Sequence, residues 1–126
     1  MLARVIAAGA LLAVLTACSV LQHTQPSVFV VFFAERSSDL TPDAHKVIVE
    51  AAQAIRTTHP ASVAIAAGVP VKDNLKLAQP RADAVRAALV AEGVDAGLIA
   101  RASFADDKKD IGGVGNQRVE IRLLRN

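Results

Sequence analysis

The chain has few of the residue types on which many protein functions depend. Its 126 residues include one cysteine and four phenylalanines, with neither tryptophan nor tyrosine. One cysteine cannot form an intrachain disulfide, and scarce aromatic side chains argue against the stacking platforms that bind single-stranded nucleic acid. The formal net charge of +2 is too small to indicate a basic surface for a phosphate backbone. We therefore expect no nucleic-acid partner.

Residues that could support catalysis or metal binding are scattered along the chain. His23, His45 and His59 show neither the spacing of metal ligands nor that of a catalytic pair. The acidic turn Asp106–Asp110 contains lysines and lacks a calcium-loop pattern. The glycine-rich stretch Ile111–Gly115 precedes a predicted strand, whereas a phosphate loop leads into a helix, so we interpret it as a hairpin connection. The sequence predicts no enzyme, no metal site and no cofactor.

Residues 1–17 have the layout of a signal peptide. Arg4 precedes an apolar run from Val5 to Leu15, which is shorter than the roughly 20 apolar residues of a membrane-spanning helix. The following Leu15-Thr16-Ala17-Cys18 resembles the lipobox of bacterial lipoproteins, which implies cleavage before Cys18 and lipidation of its thiol. The alternative is a buried free cysteine that follows an ordinary secretory signal.

Residues 18–26 are predicted to form a lipidated cysteine and a short polar tether. Ser19 follows the cysteine, where an aspartate would resemble the inner-membrane retention signal of many enteric bacteria. The resemblance therefore implies an anchor in the periplasmic face of the outer membrane.

Residues 27–126 have the pattern of a single α+β domain. Strands are predicted at Ser27–Phe33, at Ser62–Ala67 up to Gly68, at Leu98–Ser103 and through Val119, Ile121 and Leu123. Helices are predicted from Pro42 to about Thr58 and from near Pro80 to Glu92. The order βαβαββ predicts a two-layer sandwich, in which a mixed sheet carries two helices on one face.

Three local patterns support these assignments. Thr41 and Pro42 are typical of a helix N-cap and first helical position, and Gly93 is typical of the residue after a helix. The apolar run Ser27–Phe33 is typical of a strand buried on both faces, so we expect it at the centre of the sheet.

Three segments in this order resemble the OmpA-like domain, the periplasmic module that holds Gram-negative peptidoglycan. They are Val31-Phe32-Phe33 with Ser38-Asp39-Leu40-Thr41-Pro42, the stretch Asn74–Ala82 and the stretch Asn116–Ile121. The second matches the family pattern NxxLSxxRA with Ala78 at the serine position, and the third resembles NRRVEI with Gln117 in place of one arginine. The resemblance spans about Val30 to Ile121.

The resemblance implies a peptidoglycan ligand and a set of ligand-binding candidates, which are Arg81, Asn74, Asp73 and Arg118. In the family, an arginine at the position of Arg81 clamps a carboxylate of diaminopimelate, and the aspartate of a GxTD turn meets its ammonium. Val71 stands where that aspartate is expected, and Asp73 could replace it from a shortened loop. Physical chemistry supports the arginine, because a guanidinium and free N–H groups in the first turn of a helix form a carboxylate pocket.

Two alternatives stay open at this stage. Arg81 could pair with Asp73 or another local acid and have only a structural role. The whole domain could correspondingly have lost wall binding, and could use the loop from Gly68 to Asp73 to meet another envelope protein as a structural or assembly partner.

Overall fold

The computed structural model describes residues 26–70, 75–105 and 117–126. Its elements follow the order βαβαββ. The strands are β1 (Val28–Phe32), β2 (Ser62–Gly68), β3 (Ser103–Ala105) and β4 (Arg118–Leu124), and the helices are α1 (Pro42–Thr58) and α2 (Ala78–Ala91). The predicted signal peptide, Cys18 and most of the tether lie outside the described residues, as do the charged turn and the glycine-rich loop.

The four strands form one mixed sheet in the order β1-β4-β2-β3. β4 pairs antiparallel with both β1 and β2, whereas β3 pairs parallel with β2. A parallel pair needs a long crossover connection, and α2 provides it between β2 and β3. This arrangement confirms the predicted α+β class.

Alternation along the strands separates the two faces of the sheet. Val119, Ile121 and Leu123 of β4 are buried, whereas Glu120 and Arg122 between them are more accessible. α1 and α2 pack against each other and against the buried face. The opposite face of the sheet, which we call the open face, carries no helix among the described residues.

Among the described residues, the core is built mainly from aliphatic side chains. Among the described residues its members lie between Phe29 and Leu123. The apolar stripe of α1 contributes Ala44, Ile48, Ala51 and Ile55 to this core. The chain from Ser19 onward retains every one of these described side chains.

The ends of the helices follow the predicted capping signals. The Thr41 hydroxyl accepts a 3.1 Å hydrogen bond from the Ala44 N–H, and Pro42 occupies the first helical position. After α2, Gly93 adopts φ +93°, its N–H bonds the Val90 carbonyl, and the next N–H bonds the Leu89 carbonyl. This is the Schellman arrangement, in which a left-handed glycine satisfies the last carbonyls of a helix.

β1 is not at the centre of the sheet, so that prediction is wrong. It forms an edge, and it pairs only with β4 among the described strands. Phe29 and Val31 face the core, but Val28 and Phe32 are 45% and 54% exposed on the open face. The unbroken apolar run of β1 therefore does not indicate burial on both faces of the sheet. The order of the strands decides which strand is central.

The predicted third strand is displaced along the chain. Residues Ala96–Leu98 form a short 3-10 helix, which the Asp95 carboxylate caps by accepting a 2.9 Å hydrogen bond from the Gly97 N–H. Ile99 makes a single bridge with Val63, and β3 begins only at Ser103. Leu98 and Ile99 pack against the core from a turn, so their apolar character did not indicate a strand.

Candidate ligand site at the loop end of the sheet

The topology brings three connections to one end of the sheet. Phe32, the last residue of β1, pairs with Arg118, the first residue of β4. The C-terminal ends of β2 and β3 lie at the same end, because β2 is antiparallel to β4 and parallel to β3. The described strand ends that lead into the β1–α1, β2–α2 and β3–β4 connections therefore lie on one side, and we call this region the loop end. Residues 71–74 and 106–116 of these connections lie outside the described residues.

Arg81 is the charged residue that is buried in this region among the described residues. It is the fourth residue of α2, and only 1% of its surface is exposed. Its Nε donates a 2.8 Å hydrogen bond to the Ser37 carbonyl, and its Nη2 donates a 3.1 Å hydrogen bond to the Ala34 carbonyl. Both carbonyls belong to the β1–α1 connection, so one side chain fixes that connection to α2.

The ring of Phe33 completes the surroundings of the guanidinium. The central carbon of the Arg81 guanidinium lies 5.3 Å from the centroid of this ring, within the distance at which a cation is attracted to an aromatic face. Hydrogen bonds and the ring together offset the cost of burying a charge. The planar guanidinium is held in one orientation as a result.

The first turn of α2 offers fewer free N–H groups than we expected. The Gln79 N–H donates to the Leu75 carbonyl, the Arg81 N–H donates to the Leu77 carbonyl, and Pro80 has no N–H. A carboxylate at this end would therefore depend mainly on the guanidinium for its hydrogen bonds. The positive end of the helix dipole still favours an anion here.

Arg118, the other predicted arginine, begins β4 at the loop end. It lies on the open face of the sheet, and its Nε donates a 3.2 Å hydrogen bond to Glu120 Oε1. Arg122 donates to the other oxygen of the same carboxylate, from Nε at 2.9 Å and from Nη2. Burial opposes ionisation of the Glu120 carboxyl, but the hydrogen bonds from Arg122 and Arg118, together with their charge, lower its pKa below the usual value.

Three other predicted site residues lie outside the described part of the chain. Asp73 and Asn74 fall in the part of the β2–α2 connection outside the described residues, and Cys18 falls in the N-terminal part. The pairing of Arg81 with Asp73 therefore stays a hypothesis.

The sequence did not reveal the partners of Arg81. Ala34, Ser37 and Phe33 contact it across 44 to 48 positions of the chain, and two of them act through backbone carbonyls. Every residue has a backbone carbonyl, so the residue types at these positions do not indicate that their carbonyls bind Arg81. Only Phe33 carried a signal, and that signal indicated a strand.

Two further findings concern the described residues alone. They contain no group of three histidine, cysteine, aspartate or glutamate side chains that could hold a metal ion. None of the helices found among them is long and apolar enough to cross a membrane.

The OmpA family profile matches residues 32–121, and the chain therefore belongs to the OmpA family. The match begins in β1 and ends in β4, so it includes both helices and Arg81. A comparison with curated proteins found no match.

Solved structures of OmpA-like domains have the same fold. The chain is similar to the peptidoglycan-associated lipoprotein from Burkholderia pseudomallei, with a TM-score of 0.65 and 23% identity over 75% of this chain and 88% of that chain. The OmpA-like domain of FopA1 from Francisella tularensis gives a TM-score of 0.64 and 24% identity over 75% and 69% of the two chains. The cell wall anchor of the T6SS from Pseudomonas aeruginosa gives 0.60 and 23% over 79% and 81%.

Proposed function

We propose that this chain is an outer-membrane lipoprotein whose OmpA-like domain binds diaminopimelate-type peptidoglycan and so links the envelope to the cell wall. Membership of the OmpA family supports wall binding in general. Two of the similar solved structures are a peptidoglycan-associated lipoprotein and a cell wall anchor, which agrees with it.

The observation that carries the proposal is the guanidinium of Arg81 at the loop end. Two hydrogen bonds and the Phe33 ring hold it in one orientation, so little side-chain entropy remains to be lost when a ligand binds. A fixed guanidinium suits a carboxylate, because its N–H groups match the two carboxylate oxygens. Diaminopimelate presents such carboxylates in the stem peptide of the wall.

The membrane anchor is a separate part of the proposal. Cys18 would carry the lipid, and the tether from there to Pro26 would span about 25 to 30 Å if fully extended. Ser19 after the cysteine favours the outer membrane.

A second candidate function is favoured by the burial of Arg81. A side chain that is 1% exposed and bonded to two backbone carbonyls can act as a purely structural tie. In that case the domain would keep the fold without binding the wall, and it would serve as a structural or assembly partner of another envelope protein.

Sedimentation with purified sacculi separates the two candidates. The chain from Ser19 onward is incubated with sacculi that contain diaminopimelate and with sacculi that contain lysine, which lacks the second carboxylate. We expect the chain to sediment with the first kind and much less with the second. Failure to sediment with either would contradict wall binding and favour the second candidate.

Two arginine variants locate the binding. Arg81→Lys keeps the charge but loses the planar fork, and Arg86→Lys makes the same change at an exposed position of the same helix. Circular dichroism first establishes a temperature at which both variants are folded. At that temperature we expect sedimentation to fall at least about tenfold for Arg81→Lys, the loss of roughly one charged hydrogen bond, and to stay unchanged for Arg86→Lys. Equal sedimentation of both folded variants would exclude Arg81 from the site.

A further inference from the structure

One edge of β1 pairs with no strand among residues 26–70, 75–105 and 117–126, and its backbone groups are available for another strand. Two hydrogen bonds show which residues of β1 are bonded to β4. The Leu123 N–H donates to the Ser27 carbonyl, and the Phe33 N–H donates to the Gln117 carbonyl. In an antiparallel pair, bonded residues alternate with non-bonded ones. The odd-numbered residues of β1 therefore bond to β4, and Val28, Val30 and Phe32 direct their N–H and C=O groups away from the sheet.

The side chains at this edge are apolar as well. Val28 and Phe32 are 45% and 54% exposed on the open face, and β1 contains neither a charged residue nor a proline. Edge strands usually carry such residues, or a bulge or covering loop, because an open edge invites pairing with another chain. β1 has no such charge or proline to prevent pairing.

Within the described residues, the connection after β1 turns away from this edge. Arg81 holds the carbonyls of Ala34 and Ser37, which draws this connection toward α2 and away from the free side of β1. A groove of about 390 Å³ remains between the edge and the start of α1, and its lining includes Val30, Phe32 and Val47. A strand can approach β1 along this side.

We propose that β1 pairs antiparallel with β1 of a second copy of this chain, about a two-fold axis at Val30. This register sets Val28 opposite Phe32 of the partner subunit and Val30 opposite its own counterpart. Val28, Val30 and Phe32 of each subunit then form hydrogen-bonded pairs with residues of the partner subunit. These pairs satisfy their outward N–H and C=O groups.

A second copy fits the edge because β1 is complementary to itself. No charge lies within the strand, so self-pairing sets no like charges opposite each other, and each valine at position 28 meets an aromatic ring. The pairing joins two sheets into one of eight strands, and its two-fold symmetry closes the assembly at a dimer. It also explains why an edge strand has the apolar sequence of a central one, since β1 is central in the dimer.

Disulfide trapping tests this register directly. The chain from Ser19 onward has no cysteine, so Val30→Cys introduces a single thiol. Two such thiols on the axis lie in a bonded pair with Cα atoms about 5.5 Å apart, a separation that a disulfide can bridge.

The matched control is Leu124→Cys, which is 46% exposed on the same face but lies in β4, away from the β1 edge. Under mild oxidation we expect a covalent dimer from Val30→Cys and at least tenfold less from Leu124→Cys. Equal trapping of the two variants, or none of either, would overturn the proposal.

Sedimentation equilibrium gives a second readout that does not need a disulfide. Val30→Lys places the new ammonium beside Glu120, its cross-strand partner within one subunit, so the fold of the subunit tolerates it. In the dimer the same change sets two lysines opposite each other on the axis, which is unfavourable. We expect the unaltered chain and Leu124→Lys to dimerise, and Val30→Lys to be monomeric with an unchanged circular dichroism spectrum. A monomeric unaltered chain, or a folded Val30→Lys that still dimerises, would contradict the β1 interface.

Discussion

The Nε of Arg81 donates a 2.8 Å hydrogen bond to the carbonyl oxygen of Ser37, 44 residues earlier in the chain. The bond connects the first turn of α2 with the segment that leads into α1. The same guanidinium bonds the Ala34 carbonyl and lies over the Phe33 ring. Arg81 is therefore part of the folded framework, and it is also the residue through which we propose that the wall is bound.

Removal of Arg81 is expected to destabilise the domain. Arg81→Ala takes the donors from two partly buried carbonyls and leaves a void beneath the loop end, so we expect a loss of about 2–4 kcal/mol in the free energy of unfolding. Urea denaturation followed by circular dichroism measures it. Arg86→Ala, on the exposed side of α2, should change the stability by less than about 0.5 kcal/mol. Equal denaturation midpoints for the two variants would show that the hydrogen bonds of Arg81 do not support the fold.

Glu120 is expected to make the stability depend on pH. The folded domain lowers the pKa of this carboxyl from its ordinary value of 4.5, so the unfolded chain takes up the proton first as the pH falls. The stabilisation is complete above the ordinary pKa and is lost as the pH falls through the lowered one. Glu120→Gln should therefore lose stability relative to the unaltered chain near neutral pH and little in strong acid. A difference between the two chains that does not change with pH would refute the lowered pKa.

Gly93 is expected to need its left-handed conformation. A Cβ added there meets nothing within 4 Å, so the cost of Gly93→Ala is the backbone strain of φ +93° alone, about 1 kcal/mol. Gly97→Ala is the control, since its Cβ would lie at an ordinary 3.4 Å from the Asp95 carboxylate and its φ is not in the left-handed region. Thermal unfolding should show a lower midpoint for Gly93→Ala than for Gly97→Ala. The reverse order would contradict the helix end described here.

Local signals predicted the parts of the fold that depend on local chemistry. Thr41 and Pro42 marked the start of α1 and Gly93 the end of α2, because caps act on backbone groups within a few residues. The alternation of Val119, Ile121 and Leu123 identified β4 with one accessible face. These features need no knowledge of the rest of the chain.

Features that depend on distant residues were not predictable in the same way. The position of β1 at the edge follows from the order of strands, which its apolar residues do not encode. The family motif identified Arg81, but the carbonyls of Ala34 and Ser37 that hold it have no sequence signal. Arg118, which the resemblance grouped with Arg81, lies on the open face beside Glu120 because neighbouring strand residues alternate between faces.

The most direct test of wall binding is a titration of the isotopically labelled chain from Ser19 onward with free meso-diaminopimelate, followed by nuclear magnetic resonance. 1,5-Diaminopentane, which keeps the two ammonium groups and has no carboxylate, is the matched ligand. We predict saturable shifts in the amide signals of residues 34–37, 77–79 and 81 near the guanidinium, and no saturable shifts with 1,5-diaminopentane. No saturable shift with diaminopimelate, or the same shifts with both ligands, would contradict carboxylate recognition at Arg81.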